Sequence, residues 1–215
     1  MKIINTQNGD KTLFVPSMDE TYHSRNGAIS ESDQVFIKEG LYRTSGPIHI
    51  LEIGFGTGLN ALLTAIESEK EQRIITYHTL EPYPVPDELI EQLDYGELTQ
   101  NVDLFRQLHH AKWETEELIS STFIFLKSTQ KIEDISLKET FYNLVFFDAF
   151  APKKQPEMWT IDVFEKLIRS LKKGGVLVTY SAAGQLKRDL KTVGFTLLHP
   201  PGANGKREMT VAIKA

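Results

Sequence analysis

From Ile48 onward, short apolar runs alternate with longer amphipathic stretches, the pattern of repeated strand and helix units. Ile48-His49-Ile50 reads as a buried strand, and Ala61 to Ile66 as the start of a helix that continues to about Lys70. Arg73 to Leu80 is a β-branched second strand that the proline after Glu81 ends. Residues 87 to 119 read as helical, with Leu93, Leu98, Phe105 and Leu108 as core positions and Trp113 beyond them. Thr122 to Leu126 is the third strand and Tyr142 to Phe147 the fourth. A helix follows from Glu157 to about Leu171, then a turn at Lys173-Gly174-Gly175, a fifth strand from Val176 to Tyr180, and a helix from Gly184 to Val193. Gly194 to His199 and Lys206 to Lys214 read as an antiparallel pair joined by the loop Pro200 to Gly205. This order predicts an α/β fold with a mostly parallel sheet.

Residues 1 to 47 read as an extension packed on a main domain of residues 48 to 215. Thr12 to Val15 and Gln34 to Lys38 alternate enough for short strands. Between them, Asp19 to Gly27 is polar and is expected to be either a plain loop or a lid that contacts substrate.

The first strand runs into Leu51-Glu52-Ile53-Gly54-Phe55-Gly56-Thr57-Gly58-Leu59-Asn60. Glycines at alternate positions of a strand-to-helix turn remove Cβ atoms where the backbone must bend and approach a ligand. A dinucleotide fingerprint requires its third glycine where this chain has Leu59, so a nicotinamide dehydrogenase is disfavoured. Glu81, at the end of the second strand, is placed to accept both hydroxyls of a ribose. Asp148, at the end of the fourth, points into the same crevice.

The 215 residues carry a net charge of −5, which argues against a uniformly basic nucleic-acid surface. Local basic groups remain at Lys153 with Lys154, Lys172 with Lys173, Lys187 with Arg188 and Lys191, and Lys206 with Arg207. The absence of cysteine excludes disulfides and thiol nucleophiles, and the six histidines form no metal-ligand spacing. No run is long and apolar enough for a membrane span or a signal peptide, so a cytoplasmic protein is expected.

The Glu52-x-Gly54-x-Gly56-x-Gly58 pattern resembles the first motif of class I S-adenosylmethionine-dependent methyltransferases. Phe147-Asp148-Ala149-Phe150-Ala151-Pro152, Pro156 to Thr160, Ser181 to Gly184 and Gly205-Lys206-Arg207-Glu208-Met209 narrow the likeness. Together they resemble the methyltransferase domain of the bacterial bifunctional family that makes 5-methylaminomethyl-2-thiouridine in tRNA. The resemblance implies a Rossmann-like, mostly parallel seven-stranded sheet with an antiparallel C-terminal hairpin. It also implies S-adenosylmethionine as cofactor, no metal, and tRNA as substrate, methylated on the aminomethyl group of the wobble uridine; a small-molecule amine is the alternative. With no flavin domain in the sequence, a stand-alone enzyme is expected, with a separate FAD-dependent oxidoreductase as a partner. Carried onto this chain, Glu52, Gly54, Gly56, Gly58, Asn60, Glu81 and Asp148 are expected at the cofactor, and Asp148 also as the catalytic carboxylate. The acid expected after the third strand is displaced, leaving Gln130 as the candidate there. Phe150, Trp159, Lys206 and Arg207 are the candidate substrate contacts.

Overall fold

The computed structural model describes residues 1–215. Its centre is an eight-stranded sheet in the order Phe195–Leu198, Thr210–Lys214, Leu171–Thr179, Tyr142–Phe147, Ile48–Ile53, Ile75–Leu80, Phe123–Ser128, Glu116–Ser120. The parallel strands are β4 (Ile48–Ile53), β5 (Ile75–Leu80), β7 (Phe123–Ser128), β8 (Tyr142–Phe147) and β9 (Leu171–Thr179). The strands β10 (Phe195–Leu198) and β11 (Thr210–Lys214) form the antiparallel hairpin at one edge. At the other edge β6 (Glu116–Ser120) pairs antiparallel with β7, one strand more than the seven expected. A separate three-stranded sheet combines β1 (Lys2–Asn5), β2 (Lys11–Val15) and β3 (Glu20–Thr21).

Strands buried on both faces explain the near-continuous apolar runs. Along β4, Ile48 and Ile50 enter one hydrophobic cluster, while Leu51 and Ile53 enter the other. In β8, Leu144 and Phe146 divide from Val145 and Phe147 in the same way, the two-residue period of a strand. The first cluster includes Leu59, Leu62 and Ala65 of α2 (Leu59–Lys70) and Leu108 of α5 (Val102–His110); α1 (Ala28–Ser32), α3 (Asp87–Ile90) and α4 (Tyr95–Leu98) also contribute to it. The second packs α6 (Ile161–Ser170) and α7 (Gly184–Thr192) against the opposite face. The N-terminal residues Leu13, Phe36 and Leu41 belong to the first cluster, so one core joins them to the sheet. Strand order reverses at β4, whose neighbours are β5 and β8, and ligands bind open α/β sheets in the crevice at such a reversal.

Four expectations are corrected. Gln34 to Lys38 is no strand: Asp33–Lys38 is a π-helix, and Val35, Phe36 and Ile37 are all buried, Phe36 against Phe146 with ring centroids 5.1 Å apart. The helical reading of 87 to 119 breaks into three short helices and the edge strand β6, whose Glu116, Glu117 and Ser120 hide its strand character. Leu98, expected in the core, is 53% exposed. Lys173-Gly174-Gly175 lies inside β9, where the pairing with β8 slips and Gly174 takes φ +74°.

Candidate active site

At the carboxyl ends of β4, β5, β8 and β9 lies a cavity of about 260 Å³. Gly54 and Gly56 form one wall, with φ of +93° and +50°, in the left-handed region glycine tolerates best. A Cβ on Gly54 would stand 2.8 Å from the Asp148 carbonyl oxygen, and one on Gly56 would stand 2.8 Å from Cδ1 of Tyr22. The bare backbone is therefore a steric requirement. Two neutral imidazoles brace this loop. His23 Nε2 lies 2.6 Å from Thr57 Oγ1, and burial pushes this ring down to about 4. His109 Nε2 donates to the Thr57 carbonyl at 3.2 Å; burial, helped by the Lys127 charge, pushes it down to about 3.

Glu81 closes the β5 side. Its Oε2 accepts the Gly56 N–H and its Oε1 the Tyr83 N–H, each at 3.0 Å. Each carboxylate oxygen keeps a second lone pair for a ligand hydroxyl. On the other side of the loop, Asn60 Nδ2 donates to Asp148 Oδ2 at 2.8 Å and to Glu52 Oε1 at 3.1 Å. Asp148 lines the cavity; burial raises it to about 7, partly offset by the Asn60 bond. Glu52 is fully buried, and desolvation, with the Asp148 charge adding to it, raises it to about 8. Glu52 Oε2 and Asn60 Oδ1 are buried without a partner.

The segment Glu20 to Ser24, within the polar N-terminal stretch, lines the cavity. Tyr22 meets Phe150 edge-on, with ring centroids 5.0 Å apart. From the C-terminal side Lys206 reaches the cavity, bonded to Glu31 of α1. Tyr180, beyond the end of β9, is fixed by its hydroxyl, which donates to the Ala149 carbonyl at 2.9 Å.

Of the residues singled out in the sequence, Gly54, Gly56, Glu81, Asp148, Phe150 and Lys206 line this cavity. Glu52 and Asn60 stand behind the wall, where Asn60 bonds both Glu52 and Asp148. Gly58 faces α5: its Cβ would lie 2.6 Å from His109 Nε2, so packing requires that glycine. Gln130 is exposed and outside the wall, which is lined instead by its successors Lys131, Ile132 and Glu133. Trp159 is buried, 8% exposed, packs edge-on against Phe147 at 4.9 Å and donates its Nε1–H to the Phe150 carbonyl at 2.8 Å. It does not line the cavity and meets it through Phe150 and, edge-on, the Tyr180 ring. Arg207 is exposed and has no protein partner. Sequence reasoning missed Glu31, whose only signal was a carboxylate within an expected lead-in.

A family model described as S-adenosyl-L-methionine-dependent methyltransferase matches residues 97–215, more than half of the chain. The chain belongs to this methyltransferase family. The methyltransferase is 31% identical to the tRNA 5-methylaminomethyl-2-thiouridine biosynthesis bifunctional protein MnmC of Cupriavidus metallidurans, over 94% of this chain and 32% of that protein. It is 28% identical to the protein of the same name from Ralstonia nicotianae, over 94% of this chain and 33% of that one. It thus spans about a third of the length of these curated relatives. In fold it is similar to the crystal structure of MNMC2 from Aquifex aeolicus, with TM-score 0.73 and 24% identity over 98% of this chain and 69% of that one. It also shares its fold with spermidine synthase from Thermotoga maritima, with TM-score 0.54 and 10% identity over 100% and 72% of the two chains.

The cofactor of this family fits the residues present. Gly54 and Gly56 form a cradle that a Cβ would fill, and Glu81 offers a buried carboxylate with free lone pairs on the wall of the same cavity. No group of three or more His, Asp or Glu side chains is placed to hold a metal ion, and no helix is long and apolar enough to cross a membrane.

Proposed function

We propose that this methyltransferase transfers a methyl group to the primary amine of 5-aminomethyl-2-thiouridine at the wobble position of tRNA. The observation that carries the reading is Asp148: a carboxyl group pinned through Oδ2 by Asn60, with Oδ1 free of protein donors, on the wall of the cavity that holds the glycine loop and Glu81. The names of the curated relatives support the substrate.

When bound, S-adenosylmethionine supplies a methyl group on a sulfonium and departs as a neutral thioether. Gly54, Gly56 and Glu81 hold it, and Glu52 and Asn60 fix the loop and Asp148 around it. An alkylamine is largely protonated near neutral pH and has no lone pair to give. Asp148 Oδ1 accepts one N–H of the incoming ammonium and takes its proton, which frees the nitrogen lone pair for the methyl carbon. On taking the methyl group the nitrogen would become cationic; once the proton held by Asp148 has passed to solvent, the restored carboxylate stabilises that charge. A carboxyl raised to about 7 is matched to proton exchange at neutral pH.

The chain is acidic overall, so tRNA must be held by local basic groups. Lys153 and Lys154 are exposed in the loop between the cavity-lining residues Ala151 and Gln155, and Arg207 is exposed beside Lys206. We assign supply of the primary amine to an FAD-dependent oxidoreductase activity, and the setting to the cytoplasm, where tRNA is modified. The test is nucleoside mass spectrometry of tRNA bearing the primary aminomethyl uridine after incubation with this protein and S-adenosylmethionine. A gain of one methyl group on that nucleoside is expected. No gain, with cofactor binding verified in the same preparation, would redirect the reading to small amines.

A further inference from the structure

Lys206 places a primary ammonium inside the cavity that Asp148 lines. Its Nζ donates to Glu31 Oε1 at 2.6 Å and sits 5.5 Å from the centre of the Tyr180 ring, within cation–π range. The receiving groups are built rather than incidental. Glu31 is 7% exposed, and its second oxygen, Oε2, accepts the Ser24 N–H at 2.7 Å, which fixes the carboxylate toward the cavity. The Tyr180 ring is held in place by its hydroxyl on Ala149, the residue after Asp148. Both charges of the Lys206–Glu31 pair are felt at the Asp148 carboxyl. Lys206 is the more exposed partner: its side chain is 43% exposed against 10% for Glu31, and it extends from a loop.

A protonated aminomethyl group is chemically the same head as the lysine side chain, an ammonium on a methylene. We propose that Glu31 and the Tyr180 ring form the ammonium-recognition subsite for the amine substrate, and that Lys206 occupies it until substrate displaces it. The subsite selects the charged amine and delivers it to Asp148, which then removes the proton. Glu31 is a specificity-determining residue here, not the base. The inference rests on the amine substrate proposed above, but it makes a prediction of opposite sign to a simple substrate-contact role for Lys206.

The test titrates the nucleoside 5-aminomethyl-2-thiouridine, and its neutral 5-hydroxymethyl counterpart, into the protein loaded with S-adenosylhomocysteine. A nucleoside lacks the tRNA phosphates, so any phosphate contact of Lys206 is silent. Lys206→Met should tighten the amine several-fold and leave the hydroxymethyl compound unchanged. Glu31→Gln, which keeps an acceptor for Ser24, should weaken the amine about tenfold, the scale of a charge-assisted hydrogen bond, with little effect on the neutral compound. Tyr180→Leu should weaken it less. If Lys206→Met weakens or does not change amine binding, if both nucleosides shift alike, or if neither the native protein nor Lys206→Met binds the amine, the subsite is wrong. Methylation of tRNA by the native protein, with Lys206→Met and Glu31→Gln both silent, would remove the subsite alone. Tightened binding of benzylammonium by Lys206→Met, with no methylation of the tRNA, would keep the subsite and remove the wobble-uridine substrate.

Discussion

Asn60 donates from one amide nitrogen to Asp148 Oδ2 at 2.8 Å and to Glu52 Oε1 at 3.1 Å, so the first turn of α2 ties the carboxyl after β8 to the one on β4. The link orients Asp148 without consuming Oδ1. It also brings two carboxyl groups close enough that ionising either opposes the other.

Asp148→Asn should lower kcat/KM for the amine about 10²- to 10⁴-fold, the usual reach of one general acid–base group, while affinity for S-adenosylmethionine changes little. Single-turnover rates with calorimetry on the same samples separate the two. Equal losses would make Asp148 a structural residue. In the native enzyme kcat/KM should fall as pH drops through about 7, because the ionised form of Asp148 is the one that accepts the proton. The variant should lack this limb.

Glu52 carries a stability signature. Its folded value, about 8, lies above the ordinary value of 4.5, because burial and then the Asp148 charge disfavour ionisation. The folded state therefore binds more protons between those two values. Its contribution is fully present below about pH 4.5 and is lost as pH rises toward 8. Glu52→Gln should flatten the decline of thermal stability over that window, measured by calorimetry at closely spaced pH. An unchanged slope would place the proton elsewhere.

Local chemistry made most of this site legible. Alternating glycines and a carboxylate at a strand end are short-range signals, and Gly54, Gly56, Glu81 and Asp148 stand where such signals place them. What the sequence hid is long-range or packing-driven. Glu31 meets Lys206 across 175 positions, and no local pattern marks either as the other's partner. Val35-Phe36-Ile37 has the composition of a strand, yet all three residues are buried in a helical turn, because tertiary packing overrode intrinsic preference. The edge strand β6 carries few apolar residues since only one side needs covering, and its Leu118 is 70% exposed.

Gly56→Arg should abolish cofactor binding. The position takes φ +50°, and its first side-chain carbon already meets Tyr22 at 2.8 Å, so a guanidinium stem must fill the cavity or displace the segment above it. Calorimetry with S-adenosylmethionine reads this directly, with circular dichroism to verify the fold. Undiminished affinity would move the cofactor away from this loop.

Trp159→Phe should lower stability by about 1 to 3 kcal/mol, because the Phe150 carbonyl loses its Nε1–H donor in a site that is largely closed to water. The effect on KM for tRNA should be small, since the ring packs on Phe147 and not in the cavity. Denaturant melts beside steady-state kinetics make the comparison. A large KM effect at unchanged stability would instead place the indole against a base.

Arg207 is exposed, free of protein partners, and next to the residue that enters the cavity, which suits it to a tRNA phosphate. Each phosphate contact releases condensed counterions, so log affinity falls with log salt in proportion to the number of contacts. Arg207→Gln should weaken tRNA binding to a similar degree whether or not the wobble uridine carries its amine. It should also reduce the salt slope by about 1, while binding of the free nucleoside stays as it was. Filter binding across a salt series measures the slope. An unaltered slope would assign the docking surface to other cations, with Lys153 and Lys154 at the cavity mouth as the next pair to neutralise.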